Sequence, residues 1–325
     1  MSFTERLWYQ GHKAYWLLLP LAWLYGVITA LRRMLFRSGI KQQIRVKAPV
    51  IVVGNISIGG TGKTPFTLLL CDTLRKQGWK PGIVSRGYGA NINTPILVMP
   101  EVATAAGVGD EPLLLAQRSG CPVVVCPDRV AAARFLLQQT HCNIIISDDG
   151  LQHYRLARDM EIVLIDGSRG LGNGQLLPAG PLREGAWRLK QADLVVANSQ
   201  PYAQADGVMQ LQAATAKALC SEATLTSGPV TLVAGIGNPQ RFERTALAAG
   251  FTIAARHYFV DHHKFSAADF TDIQGPVLMT EKDAVKCREF ARADWFSLGV
   301  DATLDNTLQQ KLDTLLTNLR SSYGT

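Results

Sequence analysis

The sequence predicts an α/β fold: a mostly parallel sheet, a second, smaller α/β domain and a hydrophobic N-terminal helix. Three observations predict it. Apolar runs at 50–53, 123–125 and 144–146 carry no polar alternation, as strands covered on both faces do. Helical stretches alternate with such runs from residue 50 onward, the order that builds a parallel sheet. Residues 14–31, AYWLLLPLAWLYGVITAL, form an 18-residue stretch without a charge.

Taken in order, the candidate strands are 50–53, 82–85, 95–99, 122–126, 143–147, 161–165 and 193–197. The candidate helices between them are 64–77, closed by Gly78, then 111–118 and 129–139. Between about 199 and 228 the chain turns richer in Ala, Gln, Ser and Thr. A second alternating series follows at 230–234, 251–259, 277–279 and 295–300, ending in a helical run at 303–319. The expected division is therefore 1–35 as a membrane-associating helix, 36–200 as the nucleotide- and substrate-binding domain, and 201–325 as a smaller α/β domain.

Composition bounds the function. The 325 residues suffice for two cores, and 47% hydrophobic with 18% charged is a globular balance. Six cysteines without a C-x-x-C pair indicate neither a disulfide framework nor structural zinc, so a reducing cytoplasm fits. The net charge of +7 is concentrated at one end. Arg6, Lys13, Arg32, Arg33, Arg37, Lys41, Arg45 and Lys47 face only Glu5 in the first 47 residues, while the rest is balanced. Cations directly after the apolar stretch argue against a cleaved signal peptide and for contact with anionic head groups. The stretch is near the lower limit of about 17–25 residues for a spanning helix, and Pro20 and Gly26 interrupt it. It either spans the bilayer or lies in the interface; a helix buried against the body is the alternative.

The segment SIGGTGKT, residues 57–64, lies between the first apolar run and a helix with Pro65 in its first turn. That is the context of a phosphate-binding loop, so the core is P-loop kinase-like. Amides of Ser57, Ile58, Gly59, Gly60, Thr61, Gly62, Lys63 and Thr64 are placed to bind phosphate oxygens, with Lys63 on the terminal phosphates and the Thr64 hydroxyl on Mg²⁺. A second half of the site is the apolar run ending at Asp148 and Asp149, candidate metal ligands. No N-K-x-D guanine motif is present, and TEKD at 280–283 resembles one only superficially.

GNISIGGTGKTP (54–65), SRGYG (85–89), GDEP (109–112), DDGLQHYRLARD (148–159), LPAGPLRE (177–184), FVDHHKF (259–265) and TEKDAVK (280–286) together resemble the tetraacyldisaccharide 4'-kinase (lipid A 4'-kinase) family. That family's loop reads G-N-x-[ST]-x-G-G-x-G-K-T, so Ser57 is no departure from it. The resemblance implies phosphorylation, using ATP and Mg²⁺, of the 4' hydroxyl of a membrane-borne tetraacylated glucosamine disaccharide 1-phosphate. It implies two lobes that move relative to each other, and Asp110 as base with His262 as its partner. GDEPLLL also reads as a helix N-cap with Pro in the first turn, and the two roles are compatible.

Because the acceptor is anionic, cations in loops at strand ends are expected: Arg86, Arg129 and Arg183. Tyr88 is a candidate stacking residue, Glu111 and Glu184 candidates to assist the metal or orient an arginine, and Asn198 a weaker nucleotide contact. The expected location is the cytoplasmic face of the inner membrane of a Gram-negative bacterium, with no nucleic-acid or obligate protein partner. Two alternatives remain at the level of sequence: a P-loop kinase for a soluble metabolite, and a membrane-bound nucleotide-hydrolysing switch.

Overall fold

The structure, a computed structural model, describes residues 3–323. Among these residues two sheets form. The first contains β1 (Val50–Gly54), β2 (Pro81–Ser85), β3 (Ile96–Leu97), β4 (Val123–Val125), β5 (Ile144–Asp148), β6 (Met160–Asp166), β7 (Leu194–Asn198) and β8 (Gly207–Ala213). The second takes β9 (Ala216–Ala218), β10 (Thr224–Leu225), β11 (Gly228–Ala234), β12 (Phe251–Tyr258), β13 (Val277–Thr280) and β14 (Trp295–Leu298), after which β15 (Val300–Leu304) returns to the edge of the first. The helices are α1 (Phe3–Tyr9), α2 (Leu19–Arg37), α3 (Lys63–Lys76), α4 (Ala105–Val108), α5 (Asp110–Ser119), α6 (Arg129–Gln139), α7 (Pro239–Ala248), α8 (Glu281–Cys287) and α9 (Asn306–Tyr323).

The first sheet runs β15-β8-β7-β6-β1-β5-β2-β4-β3. Strands β8 to β4 in that order pair in parallel, and only the edges, β15 on β8 and β3 on β4, are antiparallel. Its central strands are buried along their whole length because helices cover both faces, which is why their sequences lack alternation. On one face α3 inserts Phe66, Leu70 and Leu74, spaced four apart and fully buried. Each such side chain stabilises the fold by roughly 1.5–3 kcal/mol. Leu308, Leu312, Leu316 and Leu319 of α9 join the same core, and Val130, Ala133 and Leu136 of α6 fill the opposite face. In the second sheet β14, β13, β11 and β12 are parallel, and each face has its own core.

The sheets divide the chain differently from the expected boundary. Residues 201–325 do not form one unit: β8 precedes the crossing and β15 and α9 follow it, all on the first sheet. The second lobe is thus inserted between β8 and β15 and tethered at both ends. The expected strand at 95–99 shortens to β3, and the run at 295–300 splits at Gly299 into β14 and β15.

Substrate-facing ends follow from topology. Ligands of open α/β sheets bind beyond the carboxyl ends of parallel strands, where strand order reverses. Here β1 lies between β5 and β6, and the phosphate loop leaves its carboxyl end. The carboxyl ends of β12 and β13 deliver Asp261, His262 and Lys282 toward the same place.

Candidate active site

The loop after β1 is braced on both sides. Ser57 pairs with Leu182, the Ile58 amide donates to Pro181 O at 2.8 Å, and the Arg183 amide donates to Ile56 O at 2.7 Å. On the other side Asn198, fully buried at the end of β7, donates its side-chain amide to Thr61 O at 3.0 Å. Gly62 sits at φ 90° as the N-cap of α3, and a Cβ there would lie 2.4 Å from the Asn198 amide. Only glycine fits both constraints. Asn198 therefore acts, in this arrangement, as a strut for the phosphate loop.

Thr64 opens α3 and donates its hydroxyl to Glu111 Oε1 at 2.6 Å. Asp148 ends β5 with 1% of its surface exposed; Ser85 donates to Oδ2 at 3.1 Å, and Oδ1 has no hydrogen-bond partner. Burial raises the Asp148 pKa well above the usual carboxylate range, reinforced by the charges of Glu111 and Asp149. Asp149 is only half-buried; desolvation would raise its pKa, but Lys63 at 3.5 Å and Arg183 at 3.0 Å outweigh that and lower it.

An orphaned carboxylate oxygen beside mutually repelling acids fits a divalent cation. No cluster of three or more His, Cys, Asp or Glu able to hold a metal occurs among the described residues. Mg²⁺ needs none, because it is usually held by one or two carboxylates, water and substrate phosphates. Thr64 and Asp148, with Asp149 or Glu111 close by, match that donor set.

The expected base and its partner meet across the lobes. His262 Nδ1 lies 3.0 Å from Asp110 Oδ2, and Asp110 is 6% exposed. Asp110 is the first residue of α5, and the N-cap is Gly109, which makes no side-chain cap bond. The expected side-chain cap is thus absent; Asp110 Oδ1 accepts only the next amide, Glu111 N, at 2.8 Å. Gly109, at φ 95°, packs so closely on Tyr88 O that a Cβ would approach to 3.0 Å. Burial pushes the Asp110 pKa up, but the His262 hydrogen bond and the Lys282 charge more than reverse this and lower it. The carboxylate is therefore ionised at neutral pH, as a base must be.

His262 has φ 61°, a conformation few non-glycine residues adopt, and its amide donates to Gly235 O at 3.1 Å. His263 turns away, stacking on Phe259 at 4.5 Å and pairing with Asp269. The expected capping box, Ser266 with Asp269, is present and opens a short 3-10 turn. Tyr88 is 63% exposed and its ring centroid lies 5.0 Å from that of His262.

Of the cations, Arg86 is exposed beyond β2, and Arg183 grips Asp149 with Nη1. Arg129 is a correction: it is buried, donates to Cys126 O at 2.9 Å and Asp148 O at 3.4 Å, and braces the end of β5 from beneath. Glu184 is another. It is 3% exposed, paired with the equally buried Arg188, and accepts from the Tyr154 hydroxyl.

Three residues at the site carried no role in the sequence reading. Lys282 Nζ reaches His262 Nε2 at 3.3 Å. Arg118 joins Glu281 and Asp301 at 2.5 Å each, and Arg241 of α7 donates to Gly60 O at 3.1 Å. Arg118 and Arg241 cross between lobes, as does Lys282 where it approaches Asp110 Oδ2 at 3.9 Å, so only the fold brings them to these partners; the TEKDAVK motif was the one signal present.

A family model described as tetraacyldisaccharide-1-P 4'-kinase matches residues 14–317. The tetraacyldisaccharide 4'-kinase of Shewanella amazonensis is 48% identical over 96% of this chain and 94% of that protein. Its counterpart from Shewanella oneidensis is 47% identical over 98% and 96%. A solved structure of LpxK from Aquifex aeolicus, an "apo" form in complex with ATP, has a TM-score of 0.77 at 27% identity, covering 94% of this chain and 99% of that one. With the matched span running through the phosphate loop, the acidic pair and the Asp110–His262 contact alike, the chain belongs to the tetraacyldisaccharide 4'-kinase family.

Proposed function

We propose that the chain transfers the γ-phosphoryl group of ATP to the 4' hydroxyl of a tetraacylated disaccharide 1-phosphate, with Asp110 as general base. The observation that carries this is the buried Asp110–His262 pair standing beside Thr64, whose neighbour Glu111 it adjoins. Asp110 takes the hydroxyl proton as the oxygen bonds to phosphorus, and the bond to ADP breaks with its electron pair leaving on ADP. Lys63 and the amides of 57–64 neutralise charge on the phosphates. Thr64 and Asp148, with Asp149 alongside, would hold Mg²⁺, which would supply positive charge against the charge developing on the phosphates. Arg86, Tyr88 and Arg183 line the approach of the acceptor, and Glu111 orients Thr64.

The membrane reading rests on α2. Ala22, Tyr25, Gly26, Thr29, Arg33 and Phe36 recur at helical spacing and face the body; Tyr25 donates to Arg183 O at 3.2 Å and Arg33 lies 4.1 Å over Trp187. The other face exposes Leu17, Leu21, Trp23, Leu24, Val27, Ile28 and Leu31. Lys13–Arg37 is long and apolar enough to cross a bilayer. A helix docked along its length lies at the interface without detaching, so the enzyme sits on the cytoplasmic face, where ATP is and where Arg32, Arg37 and Lys41 meet anionic lipid.

The test is transfer of label from γ-labelled ATP to the extracted glycolipid, with chromatography identifying the product. Lys63→Ala and Asp148→Ala are expected to lower kcat by at least about 10²-fold. Near wild-type transfer by either variant would refute the site.

A further inference from the structure

We propose that Lys282 is a positioning residue for phosphoryl transfer: it fixes His262 in the one tautomer that donates to Asp110. The proposal rests on Asp110 being the base. Nζ of Lys282 lies 3.3 Å from His262 Nε2, closer than its 3.9 Å to Asp110 Oδ2 or to Asp261 Oδ1. The other ring nitrogen, Nδ1, lies 3.0 Å from Asp110 Oδ2. The imidazole is thus held at both nitrogens, by groups of opposite character.

Hydrogen-bond polarity then decides the proton's place. An ammonium has three donors and no acceptor, so Nε2 must offer its lone pair; an ionised carboxylate only accepts, so Nδ1 must carry the hydrogen. The ring is neutral, with Nδ1–H pointing at the base. Without the lysine, nothing among the contacts of Nε2 forbids the flipped or doubly protonated ring. A flipped ring would set two lone pairs against each other across the 3.0 Å contact.

The lysine is held for this task on either side. Glu281 is engaged by Arg118, and Asp283, fully buried, accepts from Gly235 N at 3.0 Å and from the Thr280 hydroxyl at 2.7 Å. Gly235 O in turn accepts the His262 amide. Lys282 and His262 are therefore tied together through Gly235 and Asp283 in the second lobe, while Asp110 comes from the first. An ion pair with Asp261 alone would not explain this, because Asp261 is half exposed and lies farther away than the ring nitrogen.

The experiment labels the full chain with ¹⁵N-histidine in detergent micelles and reads the ring by long-range ¹H–¹⁵N correlation, with His262 assigned from a His262→Asn spectrum. A protonated Nδ1 and bare Nε2 are expected in the wild type and in Lys282→Arg. Lys282→Met is expected to lose the single tautomer and to lower kcat at least about tenfold, with KM for ATP little changed, while the arginine restores part of kcat. A protonated Nε2 in the wild type, or an unchanged tautomer and kcat in Lys282→Met, overturns the proposal. Full transfer by Asp110→Asn would instead remove the base reading, and the tautomer would still report on Lys282.

Discussion

Replacing Arg118 by Met separates the cost of lobe contact from the cost of nucleotide binding. Arg118 lies near the end of α5 opposite Asp110 and joins Glu281 of the second lobe and Asp301 of β15. The Arg118 and Glu281 side chains are only 26% and 22% exposed, whereas Asp301 is 60% exposed. The outer pair is worth about 0.2–1 kcal/mol. The inner one falls between that and the roughly 3–5 kcal/mol cost of breaking a fully buried pair, so the variant loses about 1–3 kcal/mol. If that loss falls on the arrangement that brings His262 and Lys282 to Asp110, kcat drops about 5- to 150-fold, at 1.4 kcal/mol per tenfold. ATP affinity stays within about threefold, because the phosphate loop and its Asn198 strut belong to one lobe. Label transfer gives kcat, calorimetric titration gives ATP affinity, and the Glu281→Gln cycle isolates the pair. A coupling in kcat below about 0.5 kcal/mol, or ATP affinity falling in step with kcat, would refute the reasoning.

Asn198→Ala leaves Thr61 O without its donor in a fully buried position and should weaken ATP binding by about 1–3 kcal/mol; titration showing wild-type affinity would remove the strut. His153 is held at a pKa of about 4 by burial first and by Arg129 second, so the unfolded chain binds its proton more readily. That contribution to stability is full above about pH 6.5 and is lost as pH falls toward 4, reaching at most about 2–3 kcal/mol after allowance for partial exposure. His153→Gln should therefore flatten the fall in Tm between those values, and an unchanged slope would count against it. Trp23→Glu with Val27→Glu, both more than half exposed, should weaken binding to anionic vesicles at least about tenfold while leaving Tm within a degree or two; full vesicle binding would disqualify this face.

The elements around the nucleotide were legible because each is dictated locally. The run 50–53 with its glycine turn and Pro65, or 143–147 with its two acids, states its structure within ten residues. β8 was not legible, since Gly207–Ala213 is half covered and reads as a polar linker, and β15 was absorbed into the run before Gly299. Arg129 sits in the right motif yet points inward, because a strand end says nothing about which way the next side chain turns. The approach of Lys282 to Asp110 and the pairings of Arg118 and Arg241 depend on contacts between the lobes, which no local pattern encodes.

On the proposed reading, with the acceptor in a bilayer, the height of the phosphate loop above the membrane is a catalytic variable, and the fold sets it by direct contacts of α1 and α2 with the site. Trp8 donates to Pro178 O at 3.1 Å, and the Asn173 amide donates to Trp8 O at 2.8 Å. The same segment, a few residues on, is zipped to the phosphate loop through Pro181 and Arg183, and Tyr25 of α2 holds Arg183 O. Arg183 then grips Asp149 with its guanidinium. Among the described residues three non-glycine residues adopt positive φ: Asp149, bound by Arg183 of this frame, and Ser199 and His262, bound by Arg241 and Lys282 of the second lobe. Strain of roughly 1–3 kcal/mol at each persists only where the surroundings over-determine the conformation. The apolar N-terminal helix thus buttresses the segment that carries Arg183, and on the membrane reading its packing would set the reach from the bilayer to Asp110.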